Sequence, residues 1–198
     1  VKYISLDTET GGLGLDVSLL SLGLVLADDD LNEVKHEHIL IKPNNDVYKV
    51  TGKALEINGI NLITHDLAAV TEKVAGSYLY DVLKDWSDNG KEKLIVIGKQ
   101  VDGDINHIWN KLMSRNTWEN FVSYQKIDVS GTYWTMRTIG AFPAELKGSL
   151  KDIALHYNLD ITDLHDALGD ARLTLKVYKE ILKEIKEWRH EYFKQYVG

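Results

Sequence analysis

Two acids, Asp7 and Glu9, stand two residues apart where the apolar run Tyr3-Ile4-Ser5-Leu6 ends, and glycines 11, 12 and 14 follow at once. If the run is a strand, both carboxylates leave the same face. Two like charges so close repel each other, and a hard divalent cation with oxygen ligands neutralises them. Two plainer readings compete. An acid-x-acid pair can be no more than an exposed strand end. A glycine-rich loop can cradle phosphate, but only where a strand passes into a helix whose N-terminus faces the anion. Here the glycines are followed by SLLSLGLVL, which reads as another strand, and no Gly-Lys-Ser/Thr occurs. The glycines fit better as a sharp bend that lets a substrate approach the backbone.

A metal reading needs further acids and a general base at the same strand end. Two stretches qualify. GKQVDGDINHI follows the apolar run Leu94-Ile95-Val96-Ile97, and its Asp102 and Asp104 fall where a strand hands over to a helix. Ligands of open α/β sheets gather at such carboxyl ends. HDALGDA opens the last helical stretch. There Asp170 adjoins Ala171 on the inner stripe, away from the Lys/Glu face, so burial beside the sheet is expected. A buried lone carboxylate is costly without a partner. His165 just ahead of it is free to swing over the same place, though a lone histidine is more often a surface or capping residue. Asp166 reads as a helix-start charge that suits the dipole.

These residues require a scaffold. Residues 2–6, 18–27 and 36–42 read as strands, the last two joined through Asp28-Asp29-Asp30 as an antiparallel hairpin. Leu94–Gly98 is apolar on both faces, which marks a central strand, and residues 121–129 read as a fifth. Between them, VTGKALEINGI predicts a short helix stopped at Asn58-Gly59, and Thr64 is a candidate cap for the next. Leu79, Val82, Leu83 and Trp86 keep helical spacing, as do Ile105, Ile108, Trp109, Leu112 and Met113. Ser149 to Asp152 has capping-box spacing. The last helix runs from about Asp166 past Trp188, with Ala167, Ala171, Thr174, Tyr178, Ile181 and Ile185 as its inner stripe. The expected fold is a three-layer α/β domain with a mixed, mostly five-stranded sheet flanked by helices.

At 198 residues with 44% apolar content, one domain over residues 1–198 is expected, with a core from about 2 to 180 and an amphipathic C-terminal helix reaching about 196. Trp188, Tyr192 and Tyr196 on that tail could pack on the domain or on a second subunit. A strand pattern from the first residues leaves no room for a signal peptide, and no apolar run spans a membrane. The chain has no cysteine, which excludes thiolate metal sites and suits a cytoplasmic setting. A net charge of −7 argues against sequence-blind coating of a long duplex. It leaves room for a protein that grips a few nucleotides beside a metal.

The motifs resemble those of the DEDD exonuclease superfamily, in the DnaQ-like branch whose last motif carries histidine. LDTETGGL is similar to the first motif, D-x-E-T-x-G-L; KALEINGI to a helical segment ending in Asn-Gly-Ile; VIGKQVDGDI to the second motif, G-H-N-x-x-F-D; and HDALGDA to H-x-x-x-x-D. LKGSLKDIALHYNL resembles the stretch before it. Lys99-Gln100 replaces His-Asn and Gly103 replaces Phe, which leaves Asp102 a rival to Asp104.

The resemblance implies a ribonuclease-H-like fold and a metal-dependent 3′–5′ exonuclease. Its substrate would be the 3′ end of single-stranded or frayed DNA or RNA, with DNA favoured. Asp7, Glu9, Asp104 and Asp170 would hold two Mg²⁺ or Mn²⁺ ions, Asp104 partly through water. His165 would be the general base, and Thr10 and Leu13 would touch the terminal nucleotide. A polymerase or a second copy of the chain are the protein partners left open, with no membrane. The alternatives are a binding module with dead chemistry, a phosphodiesterase of short oligonucleotides, and a nucleotide-binding protein that uses the glycine turn.

Overall fold

The structure is a computed structural model; it describes residues 2–196, the side chains of 189–196 excepted. Tyr192 and Tyr196 of the expected tail contact therefore lie outside the described side chains. The strands are β1 (Tyr3–Thr10), β2 (Leu19–Ala27), β3 (Glu33–Lys42), β4 (Val70–Thr71), β5 (Leu94–Gly98) and β6 (Val122–Asp128). They form one sheet in the order β4-β3-β2-β1-β5-β6. β1–β2 and β2–β3 pair antiparallel, as the hairpin pattern predicts, while β1–β5, β5–β6 and β3–β4 pair parallel. The sheet is mixed and has six strands where five were expected. The sixth, β4, is two residues beside Ile41 and Lys42, too short to leave an alternation pattern.

Eight helices are described: α1 (Gly52–Asn58), α2 (Leu62–Ala68), α3 (Glu72–Trp86), α4 (Asp102–Lys111), α5 (Arg115–Trp118), α6 (Val129–Thr138), α7 (Leu150–His156) and α8 (Ala167–Tyr196). α1 ends as its sequence predicts, with Gly59 at φ 65°. Thr64 does not cap a helix. Asn61 caps α2 by accepting from the Ile63 and Thr64 N–H groups, and Thr71 caps α3. The Asn61 amide reaches both donors, and Thr64 already lies within the first turn. Ser149 caps α7 by accepting from Asp152 N.

The sheet separates two cores. Ile4, Leu6, Leu22 and Leu24 pack with α3 and α4 residues such as Leu79, Leu83, Ile105 and Ile108. Val25, Ala27 and Ile97 pack with Tyr133 and Met136 of α6, Ile153 of α7, and Ala171 and Ile181 of α8. This is the expected three-layer arrangement. The inner stripe of α8 holds from Ala167 to Ile181, but Ile185 is 40% exposed. Thirty helical residues span about 45 Å, whereas strands of eight to ten residues span about 26–34 Å, so the helix outruns the sheet it covers. Among the described residues no helix is long and apolar enough to cross a membrane.

Candidate active site

Alternation along β1 assigns the chemistry to two faces. Ser5, Asp7 and Glu9 share one face, and the Ser5 hydroxyl donates to Ala171 O of α8 at 2.7 Å. Thr8 projects to the other face, where α4 arrives from the end of β5. Its N–H and its hydroxyl both donate to Asp104 Oδ1, at 3.0 and 2.6 Å. One strand thus presents two acids to α8 and clasps a third acid from α4.

The structure brings Asp7, Glu9 and Asp170 together, with one carboxylate oxygen from each inside 4.8 Å of the others. Asp104 stands beside this trio, held by Thr8 and coupled to Asp7 by charge. Asp102, the rival, is exposed and paired with Lys126 on the surface. His165 is exposed just before α8, with a left-handed backbone at φ 68°, and its N–H donates to Asp170 Oδ2 at 3.3 Å. Asp166 accepts from Gly169 N at 2.9 Å, so it acts at the helix start as its position suggests.

The cluster is poorly compensated. Burial raises the Asp7 carboxyl well above the usual carboxylate range, and Asp104, Asp170, Glu9 and Asp166 raise it further. Glu9 is pushed up to about 8, by burial first and then by Asp170, Asp166 and Asp104. Burial lifts Asp104 to about 6, against the lowering effect of the two Thr8 bonds. Burial also raises Asp170, opposed by the His165 N–H and the charge of its ring. No lysine or arginine stands among these leading influences. Asp170 Oδ1 is buried and has no hydrogen-bond partner. Converging oxygen donors, mutual repulsion and an orphaned carboxylate oxygen together fit a hard divalent cation.

A cavity of about 560 Å³ opens beside Glu9. Thr10, Gly12 and Leu13 form one wall, and Thr51, Lys53, Ala54, Ile57 and Asn58 the other. Thr10 and Leu13, singled out from the sequence, both line it. Leu13 is 99% exposed, and an apolar side chain held so openly beside a cavity suits a flat apolar ligand surface. The bend behind it depends on Gly11, where a Cβ would lie 2.3 Å from Lys49 O.

Two contributors escape the sequence reasoning. Thr8 is legible in hindsight, because its parity turns it toward the helix that follows β5. Asn58 reads as a helix stop inside the KALEINGI segment, with no contact assigned to it. It also donates to Thr10 O at 3.4 Å and favours the charged form of Glu9; nothing local in the sequence signals that contact.

Comparison with known proteins gives a consistent picture. The model of the RNase_T family, described as exonuclease, matches residues 4–178. A search of curated proteins finds no match. Among experimental structures, E. coli exonuclease I in complex with a dT13 oligonucleotide superposes with a TM-score of 0.78 at 15% identity, covering 97% of this chain and 43% of that one. The zinc-bound form of the E. coli exonuclease I–single-stranded DNA complex gives 0.78 at 16% identity, covering 98% and 43%. A moderately thermophilic exonuclease I from Methylocaldum szegediense gives 0.73 at 17%, covering 92% and 40%. The chain spans about two fifths of the length of these structures. At such identity the superpositions speak for the ribonuclease-H-like fold, and the family match carries the assignment: this chain belongs to the exonuclease family, in the DEDD branch whose last motif bears histidine.

Proposed function

We propose that the chain is a metal-dependent 3′–5′ exonuclease that releases nucleoside 5′-monophosphates from single-stranded or frayed ends, preferring DNA to RNA. The observation that carries this reading is the meeting of Asp7, Glu9 and Asp170 within 4.8 Å beside an open cavity. The DNA-bound exonuclease I structures of the same fold support DNA as the substrate.

Asp7, Glu9 and Asp170 would hold two Mg²⁺ or Mn²⁺ ions, with Asp104 completing the set partly through water. Cations held there would supply charge neutralisation at the scissile phosphate and acidification of the attacking water. They would also supply the positive field that a chain of net charge −7 lacks. The chain's own residues do the rest. The cavity receives the terminal nucleotide, with Leu13 and Ile57 against its base. His165 takes the proton from the attacking water, a role suited to an imidazole near neutral pH. Oxygen from water bonds to phosphorus, the bond to the 3′-oxygen of the preceding nucleotide breaks, and that oxygen leaves with a proton.

A 5′-labelled oligonucleotide incubated with Mg²⁺ or with chelator tests this reading. A ladder that shortens stepwise from the 3′ end only with metal is expected. An intact oligonucleotide that is still bound would favour a module without chemistry. Equal-sequence DNA and RNA in the same assay test the preference.

His165→Ala should slow hydrolysis by ~10²–10⁴-fold, the range for a lost general base, with Mn²⁺ affinity kept in calorimetry. Wild-type turnover would remove His165 from the chemistry. Thr8→Val deletes the 2.6 Å hydroxyl bond to Asp104 and leaves the backbone bond in place. Loss of a partner that orients a metal ligand costs roughly 10–100-fold. The expected result is a fall of that size in kcat with KM little changed, and an unchanged kcat would show that the backbone bond alone suffices.

A further inference from the structure

Asp7 on β1 pairs with Gly23 on β2, and Gly23 pairs with His38 on β3. Residues directly opposite in paired strands share a face, so this row runs across the sheet beneath the start of α8. At its centre there is no side chain. A Cβ on Gly23 would lie 2.2 Å from Ala167 O and 2.4 Å from Leu168 N, both backbone atoms of the first turn of α8. Real Cβ atoms do not approach backbone so closely, so the height of α8 above the sheet is set by that absence. At the far end of the row, His38 Nε2 lies 3.6 Å from Asp166 Oδ2. Asp166 holds the helix start through Gly169 N and through its own carbonyl, which accepts from Asp170 N at 2.8 Å. It is also the residue next to His165.

We propose that Gly23 and His38 are positioning residues for the chemistry, forming a seat for the first turn of α8. Gly23 fixes how closely Asp170 approaches Asp7 and Glu9. His38 anchors Asp166 and, through it, the left-handed turn that presents His165. Neither residue touches the reacting atoms. The magnitudes differ. Gly23 acts through hard backbone contact, so a methyl group there must lift the helix and spread the carboxylates. His38 acts through a partly exposed contact, longer than a hydrogen bond, so its effect is the smaller of the two.

The proposal rests on the nuclease reading above, so its test reads metal binding as well as turnover. Gly23→Ala should weaken Mn²⁺ binding in calorimetry by at least tenfold and lower kcat by a larger factor. Gly131→Ala, at an α6 position with nothing within 4 Å of the new methyl, should leave both unchanged. His38→Ala should lower kcat about 3–10-fold with KM, melting temperature and Mn²⁺ affinity held, and His38→Gln should restore much of the loss. Wild-type Mn²⁺ affinity in a folded Gly23→Ala would overturn the seat, as would wild-type kcat in His38→Ala. If Gly23→Ala does not fold, the two His38 variants decide alone. If the wild type binds Mn²⁺ but degrades no oligonucleotide, the nuclease reading fails, while Gly23→Ala still tests the seat by affinity.

Discussion

Asp170→Asn should abolish degradation of a 5′-labelled oligonucleotide while the protein stays folded. The substitution keeps the shape of the side chain and removes its charge. Asp170 contributes one of the three oxygens that meet within 4.8 Å, and its Oδ1 is buried with no other partner. An amide there halves the oxygen donors and turns an N–H₂ toward the other two acids. Losing one preorganised electrostatic stabiliser commonly costs ~10²–10³-fold; losing a ligand that organises the cations should cost at least that. Calorimetry with Mn²⁺ should show the loss directly, and Asp7→Ala should behave alike. Full stoichiometric binding in either variant would separate these acids from the metal.

Metal-free protein should lose stability as pH rises from about 4 to 8. Glu9 titrates near 8 in the fold against 4.5 ordinarily, Asp104 near 6 against 3.8, and Asp7 and Asp170 are raised too. Between those values the folded state holds protons that the unfolded state has released. Stability therefore falls with pH across that window and is fully present only below the unfolded values. Each tenfold gain in proton affinity on folding corresponds to about 1.4 kcal/mol before solvent screening. A net loss of roughly 3 kcal/mol is expected, or about 6–12 °C in Tm for a chain of this size.

His107 acts in the opposite sense, because burial lowers its pKa. The depressed carboxyls of Asp28, Glu33 and Asp160 act in the opposite sense too, but only at the acid edge of the window, around and below their ordinary values. Thermal melts in chelator from pH 4.5 to 8.5, with Glu9→Gln beside the wild type, isolate the effect. The variant should show a flatter profile, and Mn²⁺ should stabilise the wild type most at the alkaline end. A wild-type Tm that climbs from pH 5 to 8 in chelator would contradict the electrostatic account.

The scaffold is legible in the sequence in its main elements, and the convergence of the acids in part. Acids two apart on a strand must share a face, and an acid beside alanines on an inner helical stripe must be buried. Those two rules pair Asp7 with Glu9 and turn Asp170 toward the sheet; bringing the three together takes the order of the motifs as well. Placing Asp104 ahead of Asp102 needs the motif spacing, and the structure shows the physical difference: one carboxylate is clasped by Thr8, the other is salt-paired at the surface.

The helix α6 escapes a pattern reading because VSGTYWTMRT is rich in β-branched, glycine and aromatic residues, which mask its helical period. Val129, Tyr133 and Met136 nevertheless bury at i, i+4 and i+7. Pattern alone also sets the strands too short at β1, which continues through its acids to Thr10, and at β3, whose first residues are exposed and mostly polar. Such ends are fixed by partner strands, through long-range pairing that local pattern does not carry. The Gly23–His38 row is of the same kind. Residues 15 apart in sequence and a helix 144 residues beyond Gly23 meet only once the sheet is assembled.

That three carboxylates from opposite ends of the chain form one divalent-cation site is tested most directly by anomalous diffraction from a crystal soaked in Mn²⁺. The expected result is density bounded by Asp7, Glu9 and Asp170, at the mouth of the Leu13 cavity. A well-ordered map with no Mn²⁺ there, or with the ion bound only at surface carboxylates such as Asp102, would contradict it.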